Sequence, residues 1–123
     1  MRYLTAEEVI LIHERILEKF GGAGGLRDSN LLDSAVQRPR AAFSGKDLYP
    51  DLFTKAGALG HSLVLNHPFW EAMHTFIEEN GYSLRAEPNE IIELMLRIED
   101  KSLGVEQIAA WLKEHSCELK PRS

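Results

Sequence analysis

Apolar residues recur at helical spacing from the first turns of the chain. Val9, Ile10, Ile12, His13, Ile16, Leu17 and Phe20 form one stripe, and Glu14, Arg15, Glu18 and Lys19 fill the other face. Thr5-Ala6-Glu7-Glu8 just ahead of the stripe is a capping box, in which the Thr5 hydroxyl takes the Glu8 amide and the Glu8 carboxylate returns to the Thr5 amide. Gly21-Gly22 stops this helix as a left-handed C-cap would. Residues 21–25 read as a flexible connection, after which Asp28 or Ser29 can cap a second helix. Leu31, Leu32, Ala35 and Val36 give that helix a short buried stripe, which Pro39 ends.

Residues 38–50 are the one long irregular stretch, with two prolines and a Ser44-Gly45 turn signal. Loops of about a dozen residues inside a compact domain are often functional. A third helix is predicted over 51–65, burying Leu52, Phe53, Ala56, Leu59 and Leu63. Gly57 and Gly60 weaken it by roughly 1 kcal/mol each against alanine, so they are expected where another helix crosses closely. A fourth helix covers 70–79 and closes at Asn80-Gly81. Pro88 or Asn89 opens a fifth, with Ile91, Ile92, Leu94, Met95 and Ile98, and 105–114 make a sixth with Ile108, Trp111 and Leu112 inward. Leu59, Leu63, Met73, Phe76 and Trp111 are expected mostly inside. The pattern shows no strands or repeats, and the end from Glu118 is polar and expected to fray. The fold class is all-α: a single domain, 1–123, of about six helices.

Composition narrows the function. With 123 residues, 44% hydrophobic and 27% charged, the chain is an ordinary globular domain. A net charge of −5 disfavours a nucleic-acid surface, which needs clustered Lys and Arg. The lone Cys117 excludes an internal disulfide and suits a reducing compartment. No apolar run nears the roughly 20 residues of a membrane span, and the first turns lack a signal-peptide core. The expected location is the cytoplasm, with neither nucleic acid nor membrane as partner.

Candidate chemistry is sparse. The five histidines, His13, His61, His67, His74 and His115, include no i, i+4 pair and no zinc-binding motif. His13 reads as a hydrogen-bonded core or rim residue, and His115 as a cation at a helix C-terminus. Glu78-Glu79, Glu90 with Glu93, and Glu99-Asp100 read as solvated faces and ends. His67 differs: it precedes Pro68 at a junction where a new helix begins, beside amides that can hold an anion. On periodicity alone it is either a histidine packed at a turn or a base beside a bound phosphate.

At Asn66-His67-Pro68-Phe69 the sequence resembles the Fic/Doc family, in particular its Doc (death-on-curing) toxin branch. The resemblance spans nearly the whole chain. It runs through Tyr3-Leu4-Thr5, Gly25-Leu26-Arg27-Asp28, Leu31-Leu32-Asp33-Ser34-Ala35, Arg38-Pro39, Leu48-Tyr49-Pro50, Asn80-Gly81-Tyr82 and Ala110-Trp111-Leu112. It implies a Fic/Doc-like helical bundle with a small flap at 38–50. It also implies NTP-dependent modification of a protein hydroxyl, by phosphorylation or AMPylation, as on elongation factor Tu. ATP or another NTP with Mg2+ would be the cofactor and a Phd-like antitoxin the partner. His67 would be the general base, and Ser44, Gly45, Lys46 and Asp47 on the flap would contact the target by strand addition.

The resemblance breaks just after His67-Pro68-Phe69. Read without a gap, Glu71 holds the metal position, but Met73 and Thr75 replace the asparagine and arginine that grip phosphate. Read with a gap, about eight residues, or two helical turns, are missing between Phe69 and Trp70, and Trp70, Met73 and Phe76 form a buried stripe. An engineered deletion, natural degeneration and a segment missing from the chain all fit this pattern. No Lys or Arg lies between Gly57 and Ser83, so the motif itself lacks a cation for nucleotide phosphates. Three readings follow: a Doc-like toxin, a catalytically inactive Fic/Doc-fold domain that engages an antitoxin or target without transfer, and an unrelated helical adaptor.

Overall fold

The computed structural model describes residues 1–20, 29–63 and 69–119, without the side chains of 16–20, 29–31 and 69. It contains six helices: α1 (Ala6–Phe20), α2 (Ser29–Gln37), α3 (Leu52–Leu63), α4 (Phe69–Glu79), α5 (Pro88–Glu99) and α6 (Val105–Glu114). The predicted capping box opens α1: the Glu8 amide donates to Thr5 Oγ1 (3.1 Å) and the Thr5 amide to Glu8 Oε1 (3.2 Å). Asp51 and Thr54 cap α3 reciprocally, and Glu90 and Gln107 accept the amides of Glu87 and Gly104 at the starts of α5 and α6. The predicted ends of α1 at Gly21-Gly22 and of α3 at Leu65 lie outside the described residues, as does the Asp28 cap. At Pro39 the chain leaves α2 through a 3-10 turn, Arg38–Arg40.

The core is built around α3, and its glycines show why. A Cβ at Gly57 would stand 2.9 Å from the Val105 carbonyl oxygen, and one at Gly60 would collide with the Met73 side chain. Thus α6 and α4 cross α3 where the weak helix formers stand, and alanine at either place would hold them apart. Leu59, Leu63, Met73 and Phe76 are essentially inaccessible to solvent. Trp111 departs from expectation: it is half-buried, edge-on to Trp70 (centroids 5.9 Å) and stacked on His115 (3.8 Å). Ile92 and Leu96 of α5 face outward.

Two short antiparallel ribbons are present, the first within the small flap expected at 38–50 and the second a correction to the absence of strands elsewhere. β1 (Ala42–Phe43) pairs with β2 (Lys46–Asp47), and β3 (Tyr82–Leu84) with β4 (Ser116–Glu118). The second joins the segment that follows α4 to the segment that follows α6, with Tyr82 opposite Glu118 and Leu84 opposite Ser116. It takes in Cys117 and Glu118, and the Leu119 amide donates to the Gly81 carbonyl at 2.8 Å, so the tail is held through Leu119 rather than frayed from Glu118. Runs of two or three residues are too short to show an alternating pattern. The fold class remains all-α.

Candidate functional site

The segment 38–50 is a flap. Ser44 (φ 52°) and Gly45 (φ 77°) supply the two positive-φ residues of a tight hairpin turn. Ala42 faces Asp47 and Phe43 faces Lys46, and the Leu48 amide returns to the Ala41 carbonyl at 2.9 Å. Ser44, Gly45, Lys46 and Asp47 are therefore brought together at an exposed tip, beside a Phe43 that is 73% exposed.

Two cations moor this flap. Lys55 projects from α3 into the interior at 3% exposure. Its ammonium donates to the Pro39 carbonyl (3.1 Å) and to Asp47 Oδ2 (3.3 Å). One Asp47 oxygen thus turns to Lys55 while the side chain stays largely exposed, as Phe43 does at the same tip. Arg38 secures the other limb: its Nε donates to the Tyr49 hydroxyl (3.0 Å), and Nη1 reaches His61 Nδ1 (3.0 Å) and Ser62 Oγ (2.9 Å). Desolvation first, and the Arg38 charge second, hold the His61 imidazole below its usual pKa. His61 is therefore neutral, with Nδ1 as acceptor and the proton on Nε2. Arg40 lies over the Tyr3 ring at 4.6 Å, and Lys55 Nζ is 5.7 Å from the same centroid.

His67 lies outside the described residues, between the end of α3 and the start of α4. Glu71 stands in the first turn of α4, partly exposed. Magnesium takes one or two protein carboxylates beside phosphate oxygens, and Glu71 offers one. Among the described residues no group of three or more His, Cys, Asp or Glu could hold a metal. Neither residue at the motif's asparagine and arginine positions in the ungapped reading offers a charged side chain: Met73 is fully buried against Gly60, and Thr75 is neutral. Phe69 and Trp70 are consecutive residues of one unbroken helix.

On another face, Trp70, His74, Arg85, Glu87, Glu90 and Ile91 line a groove of about 490 Å³. One wall is clasped by His115, whose Nδ1 donates to the Trp111 carbonyl (2.8 Å) and whose Nε2 donates to Glu90 Oε2 (3.0 Å). Burial lowers the His115 pKa, but these two acceptors and the charges of Glu90 and Glu114 outweigh it, leaving the value raised. The helix-terminal cation thus also has a carboxylate partner. His74 pairs with Glu78 at 3.1 Å. His13 is half-buried, and both of its ring nitrogens are shielded from solvent with no hydrogen-bond partner among the described residues, so the expected bonds are not found there.

Sequence reasoning missed Arg38 and Lys55. Arg38 stands far from His67 along the chain, and no motif spacing links them. Only the packing of the Arg38–Arg40 turn on α3 carries a guanidinium to Ser62, five residues before His67.

Comparison with known proteins agrees with this architecture. The Fic/DOC family profile matches residues 3–86. Toxin Doc of Mycolicibacterium smegmatis is 39% identical over 120 aligned positions, covering 89% of this chain and 90% of that protein. Since 89% of 123 residues is about 110, about ten aligned positions have no residue in this chain. No described helix is long and apolar enough to cross a membrane. An accidental likeness in an unrelated helical adaptor is excluded by a match of this extent. The chain belongs to the Fic/DOC family, on its Doc branch.

Proposed function

We propose that this chain is the Doc-like toxin of a toxin–antitoxin pair, with a Phd-like antitoxin as its partner in the cytoplasm. The observation that carries the reading is similarity to Toxin Doc along 89% of this chain and 90% of the relative. In the finer form of the reading, the toxin modifies a protein hydroxyl, such as one on elongation factor Tu, by phosphorylation or AMPylation. ATP or another NTP with Mg2+ supplies the transferred group. His67 takes the proton of the acceptor hydroxyl, Glu71 is the carboxylate available to the metal, and the exposed flap tip from Ser44 to Lys46 meets the target strand.

A second reading is favoured by one observation. Met73 occupies the motif's asparagine position in the ungapped alignment, yet it is sealed between α3 and α4. The number of aligned positions without a residue in this chain, about ten, is close to the length of the segment that the gapped reading finds lost between Phe69 and Trp70, and such a loss would leave a domain that engages antitoxin or target without transfer. The test is expression of the chain alone and with a Phd-type antitoxin, followed by intact-mass analysis of elongation factor Tu incubated with the purified protein and Mg-ATP. Growth arrest relieved by antitoxin, with an adduct that His67→Ala abolishes at unchanged helicity, supports the enzyme. Antitoxin binding without an adduct supports the inactive domain, and neither result leaves both readings refuted.

A further inference from the structure

The corner between the Arg38–Arg40 turn and the last turn of α3 holds more hydrogen-bond donors than it uses. Arg38 donates to Tyr49 Oη, His61 Nδ1 and Ser62 Oγ, all of them neutral acceptors. Among the described residues no carboxylate pairs with this half-buried guanidinium. That is an unusual state, because a charge withdrawn from water ordinarily requires a counter-charge. The Nη2 group keeps two N–H donors without a partner among those residues. Tyr49 and Ser62 accept from Arg38 and so keep their own O–H groups for another acceptor. His61, with Nδ1 engaged, keeps its Nε2–H. The corner therefore offers a planar cation and several neutral donors, the composition of an oxyanion site.

Its surroundings reinforce the sign. Arg40 and Lys55 gather on Tyr3 beside the same turn, and Asp47 is the one carboxylate bonded to any of these three cations among the described residues. Positive charge is thus concentrated here in a chain whose net charge is −5. Gly60 packs on Met73 within the first turns of α4, so the corner stands at the α3–α4 junction, whose connecting residues carry His67.

We infer that Arg38, with the hydroxyls of Tyr49 and Ser62, forms a binding site for a phosphoryl oxyanion, either of a nucleotide or of free phosphate. This deepens the toxin reading and rests on it only for what the phosphate belongs to. Arg38 brings a guanidinium to the last turn of α3, within the stretch from Gly57 to Ser83 that has no Lys or Arg of its own.

The experiment is an amide and side-chain NMR titration of the full chain with inorganic phosphate, AMP and ATP, the last with and without Mg2+. The expected result is saturable shifts at Tyr49, His61 and Ser62. Charge-assisted hydrogen bonds set the scale, so Arg38→Gln should weaken binding about tenfold to a hundredfold. Arg38→Lys, which keeps the charge and loses the fork, should fall between. Tyr49→Phe and Ser62→Ala each remove a single donor and leave the guanidinium in place; each should weaken binding severalfold, which keeps the test decisive if Arg38→Gln fails to fold. Shifts with ATP or AMP but not phosphate assign a nucleotide, and shifts with all of them assign a general phosphate site. No saturable shift with any probe, or binding unchanged in all these variants, overturns the inference. Phosphate binding in a chain that arrests no growth refutes the toxin reading alone, and arrest without phosphate binding refutes this site alone.

Discussion

Replacing Gly57 with alanine sets two measurable effects against each other. Helix propensity favours alanine by about 1 kcal/mol in a helix interior. Against it, the new Cβ would sit 2.9 Å from the Val105 carbonyl oxygen, 3.4 Å from the Ala109 amide nitrogen and 3.5 Å from Ile108 Cβ. The nearest atom is backbone, so relief requires α6 to slide along its packed face, with Ile108 and Leu112 fully buried on it. Overpacking of this kind costs about 1–3 kcal/mol, so Gly57→Ala should be destabilised by about 1 kcal/mol net, or some 3–5 °C in Tm. At Gly60 the obstacle is the Met73 thioether, flexible but fully buried. Gly60→Ala should therefore lose a similar amount. In a double-mutant cycle Met73→Ala should return at least about 1 kcal/mol of coupling, because it opens the space the Cβ needs. Urea denaturation followed by far-UV circular dichroism measures both. A Gly57→Ala protein more stable than the parent by the propensity difference, or strict additivity of Gly60→Ala with Met73→Ala, would refute the close-crossing argument.

Three further outcomes are expected. Asp47→Ala should destabilise the protein more than Lys55→Met, because it leaves a buried ammonium on the Pro39 carbonyl alone, whereas the second removes the buried charge; denaturation midpoints compare them, and the reverse order would contradict the mooring. Both variants should also speed hydrogen exchange of the Leu48 amide, which bonds across the flap base. His115 and His61 should act oppositely with pH. The raised His115 pKa gives stability that is complete below the usual imidazole value and lost as pH rises through the folded value, whereas the lowered His61 pKa gives stability lost as pH falls below that usual value. Denaturation at pH 5.5 to 8.5, about the range of imidazole titration, should show His115→Gln removing the alkaline loss and His61→Gln the acidic loss; unchanged profiles would show that neither imidazole is coupled to folding.

Much of this fold is written in local pattern. A period near 3.6 is a property of each helix by itself, so Val9, Leu94 with Ile98, and Ile108 with Leu112 announce their buried faces without knowledge of what covers them. The Thr5–Glu8 capping box acts over three residues, and Gly57 and Gly60 betray a crossing because only close packing repays a glycine within a helix. His67 stands out by its place before Pro68 and by family resemblance, and it lies outside the described residues. What packing alone decided has a common cause: the partners are distant in the chain and obey no periodicity. Tyr82–Leu84 pairs with Ser116–Glu118 across more than thirty residues of sequence, and Trp111 is half-buried against Trp70 and His115. Lys55 reads locally as one more polar residue on a helix, and is buried only because the flap root lies over it. Arg38 reads as a loop cation, and the contact that sets it on His61 and Ser62 spans more than twenty residues. Local physics thus determined the helices and most of their inward faces, whereas the charge distribution around the candidate site arose when the Arg38–Arg40 turn docked on α3.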